Sequence, residues 1–244
     1  MLMKAALNGN RAPGAHPRLP LSPPELAEVS GDCVVAGAGA IHLHPRDAAG
    51  AESLSPHDVA RAVIAVRAAV RSTPVGVTTG AWIVPSSPER HSLVAAWDVL
   101  PDFASVNFQE EGAQALAELL NDRGVGVEAG LCDAAAATRF VASGFAVRAL
   151  RVLIEPQDGD LPAALRTVAE IEAVLDALDE AGVTAPRLLH GTGATAWGLI
   201  GQAARRGYDT RIGLEDTLLR EDGTTADGNA ALVVEARRLY TRAG

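Results

Sequence analysis

The residues of this 244-residue chain best placed to do chemistry lie in Ile41-His42-Leu43-His44-Pro45-Arg46-Asp47. The run follows an apolar, Ala- and Gly-rich stretch at 34–40 and leads through polar residues to Gly50, the pattern of a buried strand ending in a loop. Alternate side chains of an extended strand share a face, so His42 and His44 point together while Leu43 points away. Neutral imidazoles are common ligands of zinc and similar ions, and three protein ligands with an open fourth position make a catalytic rather than a structural site. The third ligand must come from elsewhere. Arg211-Ile212-Gly213-Leu214-Glu215-Asp216, another short apolar run ending in charge, is the candidate.

These residues need a scaffold, and the pattern along the chain supplies one. Apolar or β-branched runs at 4–7, 39–43, 74–80, 103–108, 124–128, 147–154, 187–190 and 211–214 read as strands. Between them lie amphipathic stretches that read as helices: one opening at Pro23 behind Ser22, and one capped by Ser55 with Val59, Val63, Val66 and Val70 at helical spacing. Further helices are expected over 88–99, 113–122, 134–141, 162–178, 195–206 and 229–240. Eight strand-helix units of about 30 residues predict a single-domain (β/α)8 barrel, the TIM barrel, over 1–244. A doubly wound open sheet is the rival, but the turn Asn8-Gly9-Asn10-Arg11 lacks the glycine pattern of a dinucleotide site.

In such a barrel chemistry gathers at the carboxyl ends of the strands. Polar residues collect there: Asn8 and Arg11 after the first strand, His42, His44 and Arg46 after the second, Thr78 and Thr79 after the third. Ser105 and Asn107 share a face of the fourth, Glu128 ends the fifth, His190 ends the seventh, and Arg211, Glu215 and Asp216 close the eighth. A ring of this kind is costly in a dry core without partners or a ligand. Arg211, Gly213 and Glu215 share one parity, so Glu215 leans toward His42 and His44. Two histidines, a glutamate and an open position suit a Lewis acid that polarises a carbonyl.

Composition removes several alternatives. Lys4 is the only lysine among 21 basic residues and begins the first strand, at the wrong end for barrel chemistry. Schiff-base, pyridoxal-phosphate and carbamylated-lysine mechanisms are therefore not expected. A net charge of -9 argues against nucleic acid or an anionic membrane as partner. Cys33 and Cys132 lie in apolar surroundings without CxxC spacing and read as buried free thiols, which fits a reducing cytoplasm. The first residues hold too short an apolar run for a signal peptide, and no stretch approaches the ~20 apolar residues of a membrane helix.

Gly37-Ala38-Gly39-Ala40 with the HLHPRD run, Thr78-Thr79-Gly80, Val127-Glu128-Ala129-Gly130, and RIGLED followed by Asn229-Ala230 resemble the β-keto acid cleavage enzyme family, in order over nearly the whole chain. The resemblance implies a zinc-dependent barrel, usually a homotetramer, that condenses a β-keto acid with acetyl-CoA and releases acetoacetate and a new CoA thioester. It implies that His42, His44 and Glu215 bind one Zn2+, that Asp216 and Arg211 form the catalytic base pair, and that Glu128 joins the catalytic set. Thr78 or Thr79 is implied for holding substrate, and the ring of polar side chains adds Asn107 and Arg46 as substrate-binding candidates. Gly191-Thr192-Gly193, ahead of a helix, offers backbone N–H groups that would suit the phosphates of CoA. Relatives acting on an amino-bearing substrate have an acidic residue where this chain has Arg11, so Arg11 is expected to face the substrate tail and to favour an anionic or neutral β-keto acid. A metal-dependent hydrolase of the amidohydrolase type is the runner-up. It would need further late histidines and often a bridging lysine, whereas His190 is the only histidine beyond His91.

Overall fold

The computed structural model describes residues 1–244. Eight strands, β1 (Met3–Ala6), β2 (Ala40–Leu43), β3 (Val75–Thr78), β4 (Phe103–Asn107), β5 (Gly126–Leu131), β6 (Arg151–Ile154), β7 (Arg187–Leu189) and β8 (Thr210–Ile212), alternate with eight helices. These are α1 (Pro23–Val35), α2 (Pro56–Val70), α3 (Ser87–Ala95), α4 (Ala113–Asp122), α5 (Ala134–Ala142), α6 (Leu161–Glu180), α7 (Ala196–Arg206) and α8 (Asn229–Ala243). All pairings are parallel, in the order β7-β6-β5-β4-β3-β2-β1-β8. The ring closes where Asp209, just before β8, bridges to Leu188 and its backbone bonds Arg187 and Leu189. This is the (β/α)8 barrel that the alternation predicts.

Local chemistry starts the helices where the sequence marks them. Ser22 and Glu25 form a capping box at α1, and the Ser55 side chain accepts from the Asp58 amide at α2. The α2 stripe Val59, Val63, Val66 and Val70 is buried against the sheet. Each such side chain contributes roughly 1.5–3 kcal/mol relative to exposure.

Two strands depart from expectation. The sixth strand, expected from Val147, starts only at Arg151, and Val147 instead ends a 3-10 turn, Phe145–Val147, whose Phe145 and Ala146 pack into the core. β5 continues three residues past Glu128, because its neighbours carry the ladder onward: Asn107 pairs with Gly130, and the Glu155 amide donates to the Leu131 carbonyl. Glu128 is therefore a mid-strand residue and not the end of a strand. Its carboxylate is fully buried inside the barrel, ion-paired with Lys4 and 3.2 Å from Arg151 Nε. Lys4 also lies 5.6 Å from the centre of the Phe103 ring. Burial lowers the Lys4 pKa more strongly than Glu128 raises it.

Candidate active site

Strand β2 places His42 between Ala6 of β1 and Gly76 of β3, and His44 follows at its end. Asn8 clamps the backbone of His44, donating to its carbonyl and accepting from its amide, both at 2.9 Å. Glu215 follows β8, where its amide meets the Ala6 carbonyl. It fits there because position 9 is a glycine at φ +53°: a Cβ on Gly9 would stand 2.4 Å from Glu215 Cγ.

Glu215 Oε2 lies 3.7 Å from His42 Nε2 and 3.6 Å from His44 Nε2, and it is buried without a hydrogen-bond partner. One ligand atom from each of the three residues falls within 4.8 Å of the others. Donors about 2.0–2.2 Å from a tetrahedral ion stand about 3.3–3.5 Å apart, so this spacing is close to that of a first coordination shell. An orphaned buried carboxylate oxygen is costly unless a cation completes it. Burial holds the His42 pKa well below its ordinary value, leaving a neutral imidazole. For His44 burial acts the same way, but Glu215 and Glu52 outweigh it and raise the pKa. Burial also opposes the charge of Glu215, yet Arg211 and the two histidines hold that carboxyl well below its usual range.

His44 Nδ1 bonds Glu52 Oε1 at 2.5 Å, and Glu52 accepts from Trp82 Nε1 at 3.0 Å. The Trp82 ring stacks on His44 at 6.1 Å between centroids. A carboxylate on the far nitrogen fixes the tautomer and leaves Nε2 free to ligate.

Arg211 reaches three partners. Its Nη2 donates to Glu215 Oε1 and to Asp216 Oδ1, both at 2.7 Å, and its Nε donates to His190 Nδ1 at 3.2 Å. Asp216 is fully buried behind Arg211, with Oδ2 unpartnered. Burial raises its pKa against the opposing pull of Arg211, which makes it a stronger base than an exposed aspartate. His190 lines the cavity, but its nitrogens are turned to Arg211 and Glu155, so it adds no fourth donor to the trio.

A cavity of about 730 Å³ opens above these groups. Of the sequence candidates, Arg11, His42, His44, Thr78, Asn107, Thr192, Gly193, Arg211 and Glu215 line it. Arg11 also donates to the Leu214 and Glu215 carbonyls at 3.0 and 3.1 Å, so it ties down the loop that presents Glu215.

Asp216, the expected base, does not line the cavity but lies fully buried against Arg211, and the remaining candidates are committed elsewhere. Glu128 sits in the lower barrel with Lys4. Arg46, expected at the substrate, is buried and donates to the carbonyls of Gly9, Arg11 and Gly50, where it braces the loops around the candidate metal ligands. Thr79 donates its hydroxyl to the Ser105 carbonyl at 2.7 Å and does not reach the cavity. Gly191 does not line it either, and the Thr192 and Gly193 amides expected to cradle CoA already bond Thr195 Oγ1 and the Asp216 carbonyl. Residues that sequence reasoning passed over include Glu155, Trp82 and Glu110. Glu155 directly follows β6, the position at which barrel chemistry is sought, and that position was its signal.

The fold and site define a (β/α)8 barrel with a candidate His-His-Glu metal centre beside a buried arginine-aspartate pair. The model of the beta-keto acid cleavage enzyme family matches residues 1–244, and the chain belongs to that family. No curated protein matches it by sequence. Among solved structures, the ternary complex of ObcA with C4-CoA adduct and oxalate superposes with a TM-score of 0.74 at 18% identity, covering 93% of this chain and 64% of that one. The binary complex of ObcA with oxaloacetate gives a TM-score of 0.72 at 17% identity, over 91% and 63%. The N-acetylmannosamine-6-phosphate 2-epimerase of Clostridium perfringens gives 0.58 at 11%, over 88% and 87%, a likeness of fold. The chain spans somewhat less than two thirds of the length of the ObcA chains.

Proposed function

We propose that this chain is a divalent-metal-dependent β-keto acid cleavage enzyme, an acyltransferase that condenses a β-keto acid with acetyl-CoA and releases acetoacetate and a new acyl-CoA. The observation that carries the reading is the convergence of His42, His44 and Glu215 at a polar cavity, in a chain of this family. Two imidazoles and a carboxylate with an orphaned oxygen fit zinc or a similar ion. Those three residues would hold the ion, and when bound it supplies a Lewis acid for the ketone and carboxylate oxygens of the substrate.

Asp216 takes a proton from the carbon between ketone and carboxylate, and Arg211 orients it and balances its charge. The enolate carbon attacks the acetyl-CoA carbonyl and expels the CoA thiolate. The thiolate adds to the original ketone, and the bond from that carbonyl to the enolate carbon breaks, giving the new thioester and, after protonation, acetoacetate. Thr78 and Asn107, both lining the cavity, orient the substrate. Arg11 at its edge favours an anionic or neutral substrate tail. Oxaloacetate, seen with ObcA, has a ketone β to one carboxylate, which supports a substrate of this class. No helix is long and apolar enough to cross a membrane. A cytoplasmic homo-oligomer is the setting we infer.

The test is to incubate zinc-loaded protein with acetyl-CoA and a panel of β-keto acids and to assay acetoacetate. Acetoacetate from at least one acid, absent after chelation, is expected. No acetoacetate from any acid would overturn the reading.

A further inference from the structure

Glu155 is the cavity-lining carboxyl that the base pair and metal trio leave unused. Its surroundings set the direction of its hydrogen bonds. Arg211 Nε donates to His190 Nδ1, so that nitrogen must accept. His190 is buried, and burial reinforced by Arg211 pushes its pKa down to about 3, so the ring is neutral and its one proton sits on Nε2. Nε2 therefore donates to Glu155 Oε2, 3.2 Å away. With Oε2 accepting, a proton on this carboxyl belongs to Oε1.

Oε1 occupies space that only a glycine leaves open. A Cβ on Gly130 of β5 would stand 2.4 Å from Glu155 Oε1 and 2.6 Å from Asn107 Oδ1. The groups facing the carboxyl are His190 just after β7, Arg211 in β8 and Glu215 after it, Lys4 from β1 and Cys132 beyond β5. Burial outweighs the two cations, Glu215 adds to it, and the carboxyl is raised to about 7. Near neutrality a substantial share of the molecules holds the proton.

We infer that Glu155 acts in the reaction proposed above as a neutral carboxylic acid, whose Oε1–H donates a hydrogen bond to the acyl-thioester oxygen as negative charge develops there. The inference rests on that reading. No bond to Glu155 is made or broken. A preformed donor in a water-poor pocket is worth far more than one in solution, and a carboxyl kept neutral by an apolar site can serve as one.

The experiment compares E155Q with E155A in zinc-loaded protein across pH 5.5–9. Glutamine can accept from His190 and donate into the cavity but does not titrate. E155Q is expected to lose less than about tenfold in kcat and the decline above pH 7, whereas E155A loses about 10²–10³-fold in kcat with KM nearly unchanged. Exchange of the substrate C2 protons in D2O needs only the metal and Asp216, so it should persist in both variants. A fall in E155Q equal to that in E155A, or full rates in both, would overturn the inference. If wild-type protein exchanges protons but forms no acetoacetate, the reaction reading fails instead. Carboxyl 13C NMR of labelled protein then decides the state of Glu155: one glutamate titrating near neutral pH and absent from E155Q is expected, and its absence rules the donor out at any activity.

Discussion

His44 shows how much a single ligand depends on what lies behind it. Asn8 fixes its backbone, Glu52 fixes its ring, and Trp82 covers both. E52Q should weaken zinc affinity by about 10–100-fold, measured by competition with a chelator, while leaving the fold intact. Glu155 makes a second prediction. The unfolded chain releases its proton near the ordinary carboxylate value and the folded protein only near 7. The folded state thus binds more protons in that window, so this group's contribution to stability falls as pH rises through it. Urea midpoints of wild type and E155Q should diverge between pH 5 and 8, with the wild type losing ground as pH rises. At this scale the sequence was legible where geometry is local. The shared direction of His42 and His44 follows from period-two alternation, whereas Glu215 lies beyond β8 in a turn where the Asp216 amide bonds the Gly213 carbonyl, and it reaches the histidines through that turn and not through strand parity. Arg46 and Thr79 misled because backbone carbonyls satisfy them, and Glu155 escaped because His190, which orients it, comes from the next strand.

Helices were easier to read than strands. Ser22 and Ser55 announce α1 and α2 through hydrogen bonds within three residues, and a 3.6-residue stripe persists over several turns. Strand ends depend on the neighbouring ladders, which no local pattern encodes. Glu128 looks like a strand terminus in the sequence, but β5 runs on to Leu131 because β4 and the segment after β6 carry the ladder past it. S55A removes the acceptor for the Asp58 amide and should cost about 1 kcal/mol, read as a shift in urea midpoint with no change in kcat. L26A, emptying a fully buried position of α1, should cost about 2–5 kcal/mol by the same measurement.

The barrel interior has two storeys: a lower one closed by Lys4, Glu128, Arg151 and Phe103, and an upper one that is the polar cavity of the candidate site. E128A strands the Lys4 ammonium and should destabilise by about 3–5 kcal/mol, while K4M combined with E128L should recover most of that loss. Protein of the double variant that folds should still turn over, which separates a structural role for Glu128 from the catalytic one that the family resemblance implies. A dead but stable double variant would place Glu128 in the catalytic set.

The three candidate metal donors come from opposite ends of the polypeptide, on either side of β1. An ion seated among them would tie the end of β2 to the segment after β8 across β1, next to a β7-β8 junction held largely through Asp209. Taking the ion away should let the last quarter of the chain breathe first, with amide exchange in β8 and α8 quickening before the rest. The barrel would then come apart first along the line where the candidate ligands meet.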